Sequence, residues 1–168
     1  MHNSSMELMR QFRTKYLLED LSGISILDVG SYDVNGTYKD LFIGASYVGL
    51  DIADGPNVDI TCSKHDVYPL DNNSFDVVIS GQALEHMTHP WKAVMEMSRI
   101  LKSQGLICLI APWKWPIHPY PMDCFRILPD GMKSLMQDND IEVLDYGVND
   151  NNEHGDHCGD CFGIGRKQ

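Results

Sequence analysis

No apolar run in the 168 residues approaches the roughly 18 residues that a membrane-spanning helix requires. No membrane span is therefore expected. The opening stretch, MHNSSMELMRQFRTKYLLED, lacks the apolar core and small-residue cleavage pattern of a secretory signal. Basic charge is scarce: 13 Lys and Arg stand against 24 Asp and Glu, for a formal net charge of −11. A protein that grips nucleic acid through its phosphates presents a basic stripe. Here the basic residues are scattered, so nucleic acid is not expected as a partner, although net charge says nothing of a local pocket. The five cysteines (Cys62, Cys108, Cys124, Cys158, Cys161) are odd in number and dispersed, which argues against a disulfide framework and for a reducing, cytoplasmic location. Repeats, low-complexity tracts and Pro/Ser-rich linkers are missing as well. What remains is ordinary globular composition, 43% apolar and 22% charged, at a length that suits one domain over residues 1–168. Within it, 1–22 reads as an N-terminal helix and 23–168 as the core.

Short strand-like runs alternate with helical ones, the signature of βαβ units and a mostly parallel sheet. Leu8, Phe12 and Tyr16 mark an opening helix over 6–20. Strands are expected at 24–30 (ISILDVG), 46–52 (SYVGLDI), weakly at 58–62, at 75–80 (FDVVIS) and at 106–111 (LICLIA), with a short helical stretch at 35–42. Pro90 suits a first helical position, and Trp91, Val94, Met95, Ser98 and Leu101 share a face, so a helix is expected from Pro90 to Lys102, with Gly105 just beyond its end. A helix at 129–136 precedes strands at 141–146 and about 161–165, which suit an antiparallel pair at one edge. Cys62 and Cys108 read as small buried apolar residues. The expected fold is a Rossmann-like α/β sheet, mostly parallel with an antiparallel C-terminal strand, and with helices on both faces.

In such a sheet, ligands sit beyond the carboxyl ends of the strands. Asp51 ends the second strand 21 positions after Gly30, where an acidic side chain can accept both hydroxyls of a ribose. The loop between them begins GSYDVNG. It lacks the G-x-G-x-x-G spacing that brings a backbone against a pyrophosphate, and its Asp33 would repel phosphate. A ribose-bearing cofactor without phosphates fits better, and S-adenosylmethionine (SAM) is one such molecule. Its carboxylate suits loop N–H groups, and its ammonium suits Asp28 and strand-end carbonyls. The bland alternative is a plain turn at Gly30 and a solvated strand end at Asp51.

The segments ILDVGS, YVGLDIADGPNVD, YPLDNNSFDVVISGQALEHMTHPWKAVMEMSRILKSQGLICLIAP and PIHPYPMDCFRILPDGM together resemble the type 11 family of class I SAM-dependent methyltransferases. The likeness spans about residues 24–136 and is nearest to small bacterial members found among polysaccharide biosynthesis genes. It implies that Asp28, Gly30 and Ser31 line the methionine end of SAM, Asp51 and Ile52 the ribose, and Ser80 and Gly81 the cofactor floor; Tyr32, in the same loop, is a further cofactor-binding candidate. Asp66 with Val67 is expected beside the adenine, with Lys64 or Ser63 as alternatives. Tyr32 stands where the family carries a second loop glycine, so this loop approaches the cofactor differently.

His86, in the loop that the family turns toward the methyl group, is the expected general base, with Glu85 as its orienter or a helix cap and His118 as a further catalytic candidate. A purely structural histidine is the alternative. Residues 112–126, PWKWPIHPYPMDCFR, hold three prolines after Pro112, which forbid a regular helix. In this shaped loop Trp113, Trp115, Tyr120, Asp123 and Arg126 are expected to bind a small-molecule or saccharide acceptor for O- or N-methylation. Packing of the aromatics on the sheet and an Asp123–Arg126 salt bridge are the competing readings. His154, His157, Cys158 and Cys161 have zinc-ligand chemistry, but four ligands within eight residues strain a tetrahedral site, so no metal is expected there. A non-catalytic SAM-binding or scaffold subunit is the alternative function, because few residues are left over to build an acceptor pocket.

Overall fold

The computed structural model describes residues 3–64, 66–150 and 157–168. Among these residues ten elements follow one another: α1 (Asn3–Tyr16), β1 (Ser25–Val29), β2 (Ser46–Asp51), β3 (Ile60–Thr61), β4 (Phe75–Gly81), α2 (Pro90–Ile100), β5 (Leu101–Lys114), α3 (Pro129–Gln137), β6 (Ile141–Asn149) and β7 (Gly159–Lys167). Two 3-10 turns, Lys39–Phe42 and Leu84–His86, complete the set. The strands form one seven-stranded sheet in the order β3-β2-β1-β4-β5-β7-β6. Neighbours from β3 to β5 run parallel, while β7 runs antiparallel between β5 and β6. The strand order reverses between β1 and β4, which opens a crevice at their carboxyl ends.

Two apolar layers sandwich the sheet. Ile26, Val77, Ile79, Cys108 and Ile110 face α1 and the turn around Phe42, while Leu27, Val29, Val78, Ile107 and Leu109 face α2 and α3. This two-sided burial explains why the strands read as near-continuous apolar runs rather than alternating ones. α1 begins earlier than its apolar pattern suggests. Ser4 and Ser5 are buried, with Ser4 Oγ donating to Asp160 and Ser5 Oγ bonded to the Tyr38 hydroxyl, so polar residues belong to its inner face. α3 seats Met132 and Met136 on β7, where a Cβ at position 163 would lie only 2.6 Å from Met136 Sδ; Gly163 leaves that room.

Two further boundaries differ from expectation. α2 stops at Ile100, and Leu101 turns to ψ 133° and pairs with Phe75 as the first residue of β5. Gly105 therefore lies inside a strand. β5 also runs on to Lys114, so Trp113 belongs to the sheet and not to the following loop. Among the described residues, no helix is long and apolar enough to cross a membrane.

Candidate active site

A cavity of about 930 Å³ opens beyond the carboxyl ends of β1, β2 and β4. Gly30 begins its floor. Its N–H and that of Ser31 both donate to the Leu50 carbonyl, and its φ of +82° turns the chain sharply away from β1. A Cβ at this position would lie 2.3 Å from the Ala83 methyl, so only glycine lets the two turns meet.

Asp51 lies on the cavity wall at the end of β2. Its two carboxylate oxygens accept the N–H groups of Tyr32 and Ala53, each at 3.1 Å, which fixes the carboxylate while leaving further lone pairs for a ligand. Ile52 and Tyr32 line the same wall. Asp66 closes the far end, with one oxygen 3.5 Å from Lys92 Nζ and the other buried without a partner among the described residues. Ser63 and Lys64, the alternatives for the adenine end, line the cavity beside it.

Other expected cofactor residues do not reach this cavity. Asp28 shares the strand face of Ile26, pointing toward α1, and accepts the Tyr47 hydroxyl at 2.6 Å. Burial there pushes its carboxyl up to about 7, the Tyr47 bond and the charge of Asp51 being smaller influences. Ser80 is fully buried and donates to the Val29 carbonyl, Gly81 packs on Tyr38, and Val67 is exposed. Ser31 is buried under Gly49. Gln82, Ala53, Asp54 and Thr88 line the cavity instead. Each directly follows, or sits close beyond, a strand end, and that position was the one signal available for them.

At the opposite end the cavity is walled by Glu85, His86, His118 and Tyr120. The 3-10 turn after β4 supplies the first two, and the strapped segment after β5 supplies the others. The Glu85 carbonyl accepts the N–H groups of Cys124 and Phe125, and His86 Nδ1 bonds the Met122 carbonyl at 2.5 Å. One ligand atom from each of Glu85, His86 and His118 lies within 4.8 Å of the other two. Glu85 is completely buried, neither carboxylate oxygen has a hydrogen-bond partner among the described residues, and desolvation pushes its carboxyl up to about 8. Burial lowers the His86 imidazole below its ordinary value, so it is neutral near pH 7.

The remaining acceptor candidates divide. Asp123 and Arg126 bind each other at 2.5 and 2.7 Å, and Arg126 also donates to the carbonyls of Trp115 and Pro116. The guanidinium holds the Asp123 carboxyl well below the usual range. Trp115 packs its ring on His118, while Trp113 faces a second, apolar groove with Trp91 and Phe125. Of the C-terminal zinc-type residues, His154 lies outside the described residues, and Cys158 and Cys161 are buried.

Residues 27–109 match a family model described as a methyltransferase domain. No curated protein matches the chain. Its fold resembles that of a 1,6-didemethyltoxoflavin-N1-methyltransferase from Burkholderia thailandensis, solved with 1,6-didemethyltoxoflavin and S-adenosylhomocysteine bound (TM-score 0.73, 12% identity, 98% of this chain and 78% of that one). The YcgJ protein of Bacillus subtilis is similar over 99% of both chains, with a TM-score of 0.72 and 14% identity. A SAM-dependent methyltransferase from Methanosarcina mazei matches at a TM-score of 0.66 and 15% identity, over 92% of this chain and 95% of that one.

Proposed function

We propose that this chain, a SAM-dependent methyltransferase with the class I sheet, methylates an oxygen or nitrogen of a small-molecule or glycan acceptor held between the Leu84–His86 turn and the His118–Met122 segment. One observation carries the reading: a single cavity runs from a carboxylate fixed at the end of β2 to an imidazole with a free lone pair after β4. The glycan class rests on family resemblance alone.

The residues present suit SAM. Asp51 offers acceptors for two ribose hydroxyls, the glycine turn at residue 30 leaves room where any side chain would intrude, and the unpartnered Asp66 oxygen suits an exocyclic amine. When bound, SAM supplies a methyl group activated by its sulfonium. His86 acts on the acceptor. Its Nδ1–H donates to Met122, which leaves Nε2 unprotonated and able to take the proton that an attacking hydroxyl or amine gives up. Met122 and the Glu85 carbonyl bonds hold the acceptor loop against that ring, so the nucleophile is positioned as well as deprotonated.

Titration calorimetry with S-adenosylhomocysteine is the direct test. Asp51→Ala should weaken binding by at least about tenfold, the effect of losing roughly 1.4 kcal/mol of ribose contacts. Unchanged affinity would overturn the ribose role of Asp51. His86→Ala should retain this affinity and lose about 10²- to 10⁴-fold in turnover.

A further inference from the structure

We propose that Glu85, His86 and His118 form a binding site for one divalent transition-metal ion at the acceptor end of the cavity. Two imidazoles and a carboxylate are a ligand set for zinc and related ions, with three protein ligands leaving a position open to the cavity. The placement at the acceptor end rests on the reading of this cavity as the SAM site, whereas the ion site itself does not.

Three features distinguish the cluster from a chance meeting of polar side chains. The Glu85 carboxylate is fully buried and neither oxygen has a hydrogen-bond partner among the described residues, although buried polar atoms almost always find one. An ion between it and the histidines would supply the missing partner. The 3.6 Å between Glu85 Oε1 and His86 Nε2 is too long for a hydrogen bond. It is close to the roughly 3.4 Å between ligands of a tetrahedral ion bound at about 2.0–2.1 Å. Both imidazoles are also oriented from behind. His86 Nδ1 bonds the Met122 carbonyl, and His118 Nδ1 bonds the Pro116 carbonyl at 3.0 Å, with Asp123 3.5 Å away. Metal-bound histidines are commonly fixed in this way, with the second nitrogen left as the ligand atom.

An ion here competes with the proton for His86 Nε2. The base role of His86 therefore belongs to the ion-free chain, while the loaded chain presents a coordination position to an oxygen or nitrogen of the acceptor.

The test is titration of the full, untagged chain with Co²⁺ followed by visible absorption, and with Zn²⁺ by calorimetry. One equivalent of Co²⁺ should give d–d bands without a thiolate charge-transfer band, and Zn²⁺ should displace it. Glu85→Gln, which keeps the side-chain shape, and His118→Ala, at a site one-third exposed, should each weaken binding by at least about 100-fold. Cys158→Ser should leave it intact. Absence of saturable binding, retention in both ligand variants, or loss in Cys158→Ser would each overturn the site. S-adenosylhomocysteine affinity is measured on the same samples. Its loss with Co²⁺ binding intact would sink the cofactor reading and spare this one, and the opposite pattern would do the reverse.

Discussion

Gly30 answers two demands that no other residue meets together. Its φ of +82° lies in the left-handed region, which costs an L side chain about 1–2 kcal/mol. Its missing Cβ is what lets the turn after β1 touch the turn after β4, because the Ala83 methyl lies 2.3 Å from where that atom would be. Overpacking of a tight contact costs a further 1–3 kcal/mol or so. Gly30→Ala should therefore destabilise the fold by about 2–5 kcal/mol in urea denaturation. Adding Ala83→Gly should recover the steric share and leave the backbone share. Equal stability of the single and double variants would show that the collision is not what matters. Asp28, two residues earlier, shows where reading by residue stops. It precedes the glycine in the motif, but a strand turns successive side chains to opposite faces. Residue 28 therefore points toward Tyr47 and α1, away from the crevice. The sequence shows that an acid is present; which face it takes depends on the register of the strand.

At the scale of elements, most of the sheet was legible because each core strand is buried on both faces and carries a run of apolar residues. Two junctions were not. Leu101 fits the apolar face of α2 by spacing, and it is fully buried whether helical or extended, so periodicity had no means of placing the helix end. Trp113 follows a proline, and a strand ending at Ala111 leaves it in a loop. The strand instead continues through Pro112 and Lys114 against β7, and alternation then sends Trp113 to the face of α2 and α3. The segment beyond shows how an irregular stretch keeps one shape. Arg126 ties Asp123 to the carbonyls of Trp115, Pro116 and Phe125, and Asp123 in turn accepts the His118 N–H at 2.8 Å. Asp123 is almost wholly buried, so removing its partner strands a charge, a change worth about 3–5 kcal/mol in other proteins. Arg126→Met should accordingly loosen residues 118–126, seen as faster amide exchange there, and lower turnover of the acceptor. S-adenosylhomocysteine affinity should be little changed, since Asp51 and Asp66 are held by other contacts. Unaltered exchange in the segment would show that the ion pair is not its clamp.

At the scale of the whole molecule, buried acids set how stability follows pH. Asp28 and Glu85 titrate near 7 and 8 in the folded chain, both raised first by burial, against ordinary values of 3.8 and 4.5. Between the ordinary and the folded value, the folded chain holds a proton that the unfolded chain has released. Stability therefore declines as pH rises through that window and is flat above it. Asp123 has the opposite sign: its lowered value adds stability that is complete above the ordinary aspartate range and is lost only in acid. His86, lowered from 6.5, disfavours the folded state only below about that pH. Above pH 6.5 the two raised acids thus act without opposition from either group. In the presence of a chelator, unfolding free energy from urea denaturation should fall by about 2–3 kcal/mol between pH 6.5 and 8.5, since one unit of proton linkage is worth about 1.4 kcal/mol and Glu85 contributes the larger share. Glu85→Gln has no proton to release and should remove most of the decline above pH 7, which Asp28→Asn should not. With a divalent ion bound, Glu85 is held ionised, and the same decline should shrink in the parent chain but not in Glu85→Gln. A profile in chelator that is flat for the parent, or as steep in Glu85→Gln, would mean that the Glu85 carboxyl is not the buried acid that its surroundings make it.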